Sequence, residues 1–136
     1  MSLYGFPKRE HLVLKRDIDA LFTAGGHSLA AYPVRAIWRL APAAGDGARV
    51  KVMVSVSKRK CKHAVSRNRA KRQLREAYRL NKSILSAEGL LPADRELHLA
   101  FIWLSDTPQP SYDVHRKVVN LMQRMAEKLA AAREHS

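Results

Sequence analysis

Residues 50–82 read VKVMVSVSKRKCKHAVSRNRAKRQLREAYRLNK, and a change of period inside this stretch decides the fold. Over residues 49–57, Val50, Val52, Val54 and Val56 alternate with Lys51, Met53 and Ser55, the period of two expected of a strand with one buried face. From about Val65 the period lengthens. Ala70, Leu74, Ala77, Tyr78 and Asn81 gather on one side at about 100° per residue, which predicts a helix with a packing face. Residues 58–63 join the two elements and carry Lys58, Arg59, Lys60 and Lys62.

The same stretch concentrates the charge. Residues 58–82 hold eleven Lys or Arg and one acid, Glu76. On the helical wheel Arg67, Lys71, Lys82, Arg75, Arg79 and Arg72 fall within roughly 140° of one another, a cationic stripe beside the packing face, with Arg69 pointing elsewhere, near Glu76. A solvated helix face held by pairs four residues apart needs acids, and this helix has one; its like charges cost stability unless an anion meets them. Such a stripe can track phosphates, with Arg adding a planar fork for bidentate contact or stacking. The loop brings four further cations to the helix N-terminus, where open backbone N–H groups and the helix dipole favour an anion. Across 136 residues, 25 Lys and Arg against 12 Asp and Glu give +13, so the expected partner is a polyanion and not a small neutral substrate. Charge alone does not separate RNA from DNA.

Outward from this segment the pattern continues. Over residues 33–40, Val34, Ala36, Trp38 and Leu40 alternate with Arg35, Ile37 and Arg39, a second strand. The link through Pro42, Gly45, Asp46 and Gly47 has turn chemistry, so these two strands are expected to pair antiparallel. Residues 96–104 predict a third strand, apolar on both faces and therefore more buried. Beyond Pro108 and Pro110, Val114, Val118, Leu121, Met122, Met125 and Leu129 mark a long amphipathic helix whose stripe is core. From Asp17, a helix cap, Ile18, Leu21 and Phe22 predict a short first helix closed by Gly25 and Gly26 in a left-handed cap. The length suits one domain over residues 1–136.

Other chemistries find little support. Cys61 is the only cysteine, so no internal disulfide or Cys-pair zinc site is expected. Cys61 and His63 lack the partners of a metal or nucleophile site, and no Gly-rich phosphate loop occurs. Neither catalytic nor metal-ligating residues are assigned. Without an apolar run long enough for a signal peptide or a membrane span, a cytoplasmic location and no membrane partner are expected.

Ser55-Val56-Ser57-Lys58-Arg59, followed by Ala64-Val65-Ser66-Arg67-Asn68-Arg69-Ala70-Lys71-Arg72 and Arg75, resembles the signature of the bacterial ribonuclease P protein family. Phe6-Pro7-Lys8 and the helix ending in Leu21-Phe22 before Gly25 and Gly26 are similar to that family's N-terminal part. The resemblance implies an α+β single domain, α-β-β-β-α-β-α, with a central mixed sheet and a left-handed β-α-β crossover. Three strands are then one short, and the fourth is sought at residues 28–31 or within 33–40. It implies a protein subunit that binds ribonuclease P RNA and the 5′ leader of precursor tRNA, an endoribonuclease assembly in which the RNA carries the catalysis with Mg²⁺ held mainly by the RNA. Carried over by position, the RNA-binding residues are Arg67, Asn68, Arg69, Lys71, Arg72 and Arg75; their neighbours Lys58, Arg59, Lys60, Lys62 and Arg79 extend the same charged surface. Ile18, Phe22 and Trp38 fall at the leader cleft between sheet and first helix. Two departures stand out. Ile18 replaces an aromatic residue and cannot stack, and the basic loop is one residue longer, with Cys61 near a usual Gly.

Two other readings share the charge. A ribosomal or other structural RNA-binding protein would bind RNA but confer no cleavage. A DNA-binding protein would lay the Arg-rich helix in a major groove, for which no dimerisation or helix-turn-helix pattern is present.

Overall fold

The computed structural model describes residues 5–23 and 26–134. In chain order the elements are α1 (Lys15–Thr23), β1 (His27–Ala31), β2 (Val34–Pro42), β3 (Val50–Ser55), α2 (Ala64–Asn81), β4 (Arg95–Trp103) and α3 (Ser111–Glu134). A turn of 3-10 helix at Lys8–Glu10 precedes α1, and another at Lys82–Leu85 follows α2. The fourth strand sought in the sequence is β1, the first of the two alternatives.

The four strands form one mixed sheet in the order β1-β2-β4-β3. β2 runs antiparallel to β1 and to β4, while β3 runs parallel to β4, so α2 connects two adjacent parallel strands. The expected pairing of the strands at 33–40 and 49–57 is corrected: β4 lies between them. The reason is burial. Six successive residues of β4, Glu96 to Phe101, are buried, and a strand covered on both faces belongs in the interior of a sheet, where neighbours also satisfy both of its edges. The link from β2 to β3 spans the start of β4, tied by Ala43 N–H to Asp94 O (3.0 Å) and Leu97 N–H to Arg49 O (2.8 Å). Its turn chemistry is real, with Gly45 and Gly47 at φ 77° and 85°, a region that favours glycine. At the outer edge of β3, Leu12 N–H donates to Val52 O (2.9 Å), so the N-terminal segment covers part of that edge.

Alternation along the strands sends side chains to two different layers. Val34, Ala36, Trp38, Val52, Leu97, Leu99 and Phe101 face α2 and α3 and form the main core with Leu74, Tyr78, Leu121, Met122 and Met125. The other face is smaller: Ala100, with Ile37 and Met53, packs against Leu12, Ile18 and Leu21 of the N-terminal segment and α1. The α3 stripe read from the sequence is the stripe buried here, Val114, Val118, Leu121, Met122, Met125 and Leu129.

Two details at α1 differ from expectation. The helix begins at Lys15, which puts Asp17 inside its first turn, where its carboxylate meets the positive end of the helix dipole without being the cap. Gly25 lies outside the described residues. Gly26 has no left-handed φ; a Cβ there would come within 2.7 Å of the Leu21 carbonyl oxygen, so close approach is what requires glycine.

Candidate nucleic-acid interface

β3 ends at Ser55, and residues 56–63 turn the chain into α2. Ser57 organises the turn: its carbonyl accepts from Cys61 N–H (3.0 Å) and its Oγ from Lys60 N–H (3.1 Å). Lys58, Arg59, Lys60 and Lys62 are all exposed. His63, extended at the N-cap position, makes no side-chain capping bond. The first-turn amides of α2 are thus left without the side-chain acceptor that a Ser or Asp cap would bring.

α2 buries Ala70, Gln73, Leu74, Ala77 and Tyr78. Gln73 was not expected in this set. Its amide donates to Gln109 O and Ser111 Oγ, both at 2.9 Å, fastening α2 to the start of α3. Tyr78 packs against Phe6 and Phe101 as core, and burial pushes its hydroxyl above the usual range. Asn68, Arg69, Arg72 and Arg75 are exposed, and Arg67, Lys71 and Arg79 half-buried. Among the described residues the side chains of Lys58, Arg59, Lys60, Lys62, Asn68, Lys71, Arg72 and Arg75 make no hydrogen bond or ion pair.

The remaining cations are employed within the protein. Arg67 Nη1 donates to the carbonyls of Cys61 (3.0 Å) and Lys62 (2.8 Å), and Arg69 Nη2 to Gln109 O (3.4 Å). Glu76 pairs with Arg79 (Nε to Oε2 3.1 Å), not with Arg69 as the wheel suggested; the hydrogen bond from Arg79 holds the Glu76 carboxyl below the usual carboxylate range. Lys82 leaves the stripe altogether, donating to Glu10 Oε1 (2.9 Å) and to the Gly5 carbonyl. A wheel shows which residues share a helix face, but it cannot show that a segment 72 residues away supplies a carboxylate.

The three cleft residues do not come together. Ile18 is half-buried against Leu12, Leu21 and Ala100, and Phe22 is 45% exposed on α1. Trp38 is 2% exposed and lies on the α2/α3 side of the sheet, stacked near His27 at 5.4 Å, so it cannot line a cleft under α1. On the α1 side, strand register instead groups Arg35, Ile37 and Arg39 of β2 with Met53 and Ser55 of β3 and Ile102 of β4. Their signal was the alternation that placed Trp38 in the opposite set. Exposed Val13 and Leu14 extend this surface ahead of α1. Arg75 joins it to the helix stripe by lining a cleft of about 250 Å³ with Phe6, His11, Val13 and Met53.

Toward the β2–β3 link the α1 side of the sheet carries a partly buried ionic cluster. Lys51 Nζ lies 2.9 Å from both Asp46 and Glu96, Glu96 accepts from His98 Nε2 (2.6 Å), and the Ala44 amide donates to Glu96 (2.7 Å). Burial pushes the Glu96 carboxyl up, but hydrogen bonds from Lys51, His98 and Ala44 outweigh it and leave the group below the ordinary range. Cys61 packs against the main core, and among the described residues no three His, Cys, Asp or Glu are placed to hold a metal.

Fold and surface define a small α+β protein that gathers exposed cations on one helix face and one loop. The family model described as Ribonuclease P matches residues 6–126. The chain is 34% identical over 127 residues to the ribonuclease P protein component of Porphyromonas gingivalis, covering 92% of this chain and 89% of that one. The RNase P protein from Thermotoga maritima superimposes with a TM-score of 0.62 at 26% identity, over 85% of this chain and 97% of that one. The Staphylococcus aureus RNase P protein shares the fold at TM-score 0.62 and 18% identity, over 87% of this chain and 95% of that one. The chain belongs to the ribonuclease P protein family and is of the bacterial protein-component type.

Proposed function

We propose that the protein binds ribonuclease P RNA through residues 58–62 and the exposed arginines of α2, and takes the 5′ leader of precursor tRNA on the sheet face beside α1. The observation that carries this reading is the run of cations without protein partners among the described residues, Lys58, Arg59, Lys60, Lys62, Lys71, Arg72 and Arg75, on one loop-helix surface that bears the family signature. Each phosphate they neutralise releases counterions, so binding weakens steeply with salt. On the α1 side, Phe22 supplies the stacking surface and Arg35 and Arg39 the cations for a single strand, replacing Trp38 in that role.

On this reading hydrolysis belongs to the RNA partner with Mg²⁺ that the RNA holds. The protein lessens repulsion between two polyanions and so lowers the Mg²⁺ concentration required, yielding tRNA with a 5′-phosphate. Among the described residues no helix is long and apolar enough to cross a membrane.

The test is reconstitution with a bacterial ribonuclease P RNA and a leader-bearing precursor tRNA, at Mg²⁺ too low for the RNA alone. Leader release restored by the protein, and lost when Arg72→Ala and Arg75→Ala are combined in a folded variant, is the expected result. Tight RNA binding without restored cleavage would leave a structural RNA-binding protein as the better reading.

A further inference from the structure

Arg67 opens the Arg-Asn-Arg core of the signature, yet its side chain turns back onto its own chain. One nitrogen, Nη1, donates to two consecutive carbonyls, Cys61 O and Lys62 O, at 3.0 and 2.8 Å. The turn they close is otherwise fastened through Ser57, by the Cys61 and Lys60 amides. Lys58, Arg59, Lys60 and Lys62 put four positive charges in five residues, and their repulsion favours an open, dispersed loop. A fifth cation can hold such a loop because it binds backbone oxygens, which are indifferent to the side-chain charges.

We propose that Arg67 is a positioning residue: it fixes residues 58–62 so that their four cations meet the RNA backbone at set spacings, while Arg72 and Arg75, which have no partner among the described residues, make direct contacts. This rests on the RNA-binding reading above and assigns the signature arginine a role through the loop. Preorganisation is the physical gain, since a loop already in its bound shape loses less freedom on binding.

The experiment compares wild type with Arg67→Gln and Arg67→Lys. Hydrogen exchange of the Lys60 and Cys61 amides is followed in the free protein, and affinity for a bacterial ribonuclease P RNA is measured across salt concentrations. Arg67→Gln should speed exchange of those amides on the order of tenfold. Affinity should then follow loop protection and not the charge at position 67. Adding Lys62→Ala should weaken binding less on the Arg67→Gln background than on wild type, a coupling that a loss of overall stability would not produce. Unchanged exchange in Arg67→Gln, or full affinity in Arg67→Lys with the loop still unprotected, overturns the proposal and makes Arg67 an ordinary phosphate contact. Should the Arg67 variants fail to fold, Ser57→Ala loosens the same turn without altering charge. It should lower protection and affinity together, and faster exchange at wild-type affinity overturns the proposal. Wild-type protein that binds no RNA would sink the underlying reading, while the exchange arm would still report on the clasp.

Discussion

Two cationic regions of this molecule use the same chemistry in opposite ways. Lys51 is half-buried, touches two carboxylates and shares one of them with His98, so its charge is satisfied within the fold. The cations of residues 58–62 and those along α2 at Lys71, Arg72 and Arg75 stand without protein partners among the described residues. The first region spends charge on architecture, holding the β2–β3 link across the start of β4. The second keeps charge in reserve, accepting internal repulsion that only an outside anion relieves. The difference teaches that the number of positive residues says little until each has been checked for a partner.

The comparison breaks if the two regions fail to separate stability from binding. Glu96→Ala should show the largest effect, destabilising the fold by about 3 kcal/mol, because His98 is left buried without its carboxylate partner and Lys51 keeps only the more exposed Asp46. Chemical denaturation measures it, and the salt dependence of RNA binding by the folded fraction should not move. The triple change Lys58→Ala, Lys60→Ala and Lys62→Ala should do the reverse. The slope of log affinity against log salt should become shallower by about 2 to 2.7, three contacts at about 0.7 to 0.9 each, with no loss of melting temperature.

Acidity sharpens the same contrast. Glu96 is held below its ordinary value of 4.5, so its contribution is present above that pH and is lost as pH falls through the depressed folded value. Lys51 is held above 10.5: burial opposes its charge, but the hydrogen bonds it donates to Glu96 and Asp46 prevail, so its contribution persists below 10.5 and is lost as pH rises through the folded value. Denaturation of wild type should steepen below about pH 4.5, and Glu96→Gln should flatten that acid limb. A limb unchanged by Glu96→Gln would mean that other carboxylates set it.

Much of this was legible in the sequence because periodicity reports faces. The α3 stripe, the alternating strands and the α2 packing face follow directly from it. Neighbours were harder to read. Alternation shows that β4 is covered on both sides, yet cannot say that it separates β2 from β3, since pairing order depends on which strand most needs burial. Partners were hardest: Lys82 belonged to the wheel's cationic stripe, and its bond to Glu10 emerges only in three dimensions, whereas the pairing of Arg79 with Glu76 three residues earlier is a spacing the helix itself allows. Trp38 is instructive in another way. The strand pattern had already grouped it with Val34 and Ala36, away from Arg35 and Arg39, and only the family resemblance set it at the cleft.

The smallest effect lies at the boundary between the two regions, at Glu76. It is the one acid among the cations of α2, and it engages Arg79, which would otherwise extend the exposed stripe. The pair is open to solvent, Glu76 exposed and Arg79 half-buried, so its removal should change stability little. Glu76→Gln removes the negative charge and the attraction that keeps Arg79 turned toward its neighbour. If Arg79 then belongs with the reserve cations, RNA affinity at low salt should rise by a factor on the order of a few, and the salt slope should steepen. Arg79→Ala on the same background should cancel the gain. Equal affinity in wild type and Glu76→Gln would place Arg79 with Lys51 instead, as a cation whose work is done inside the protein.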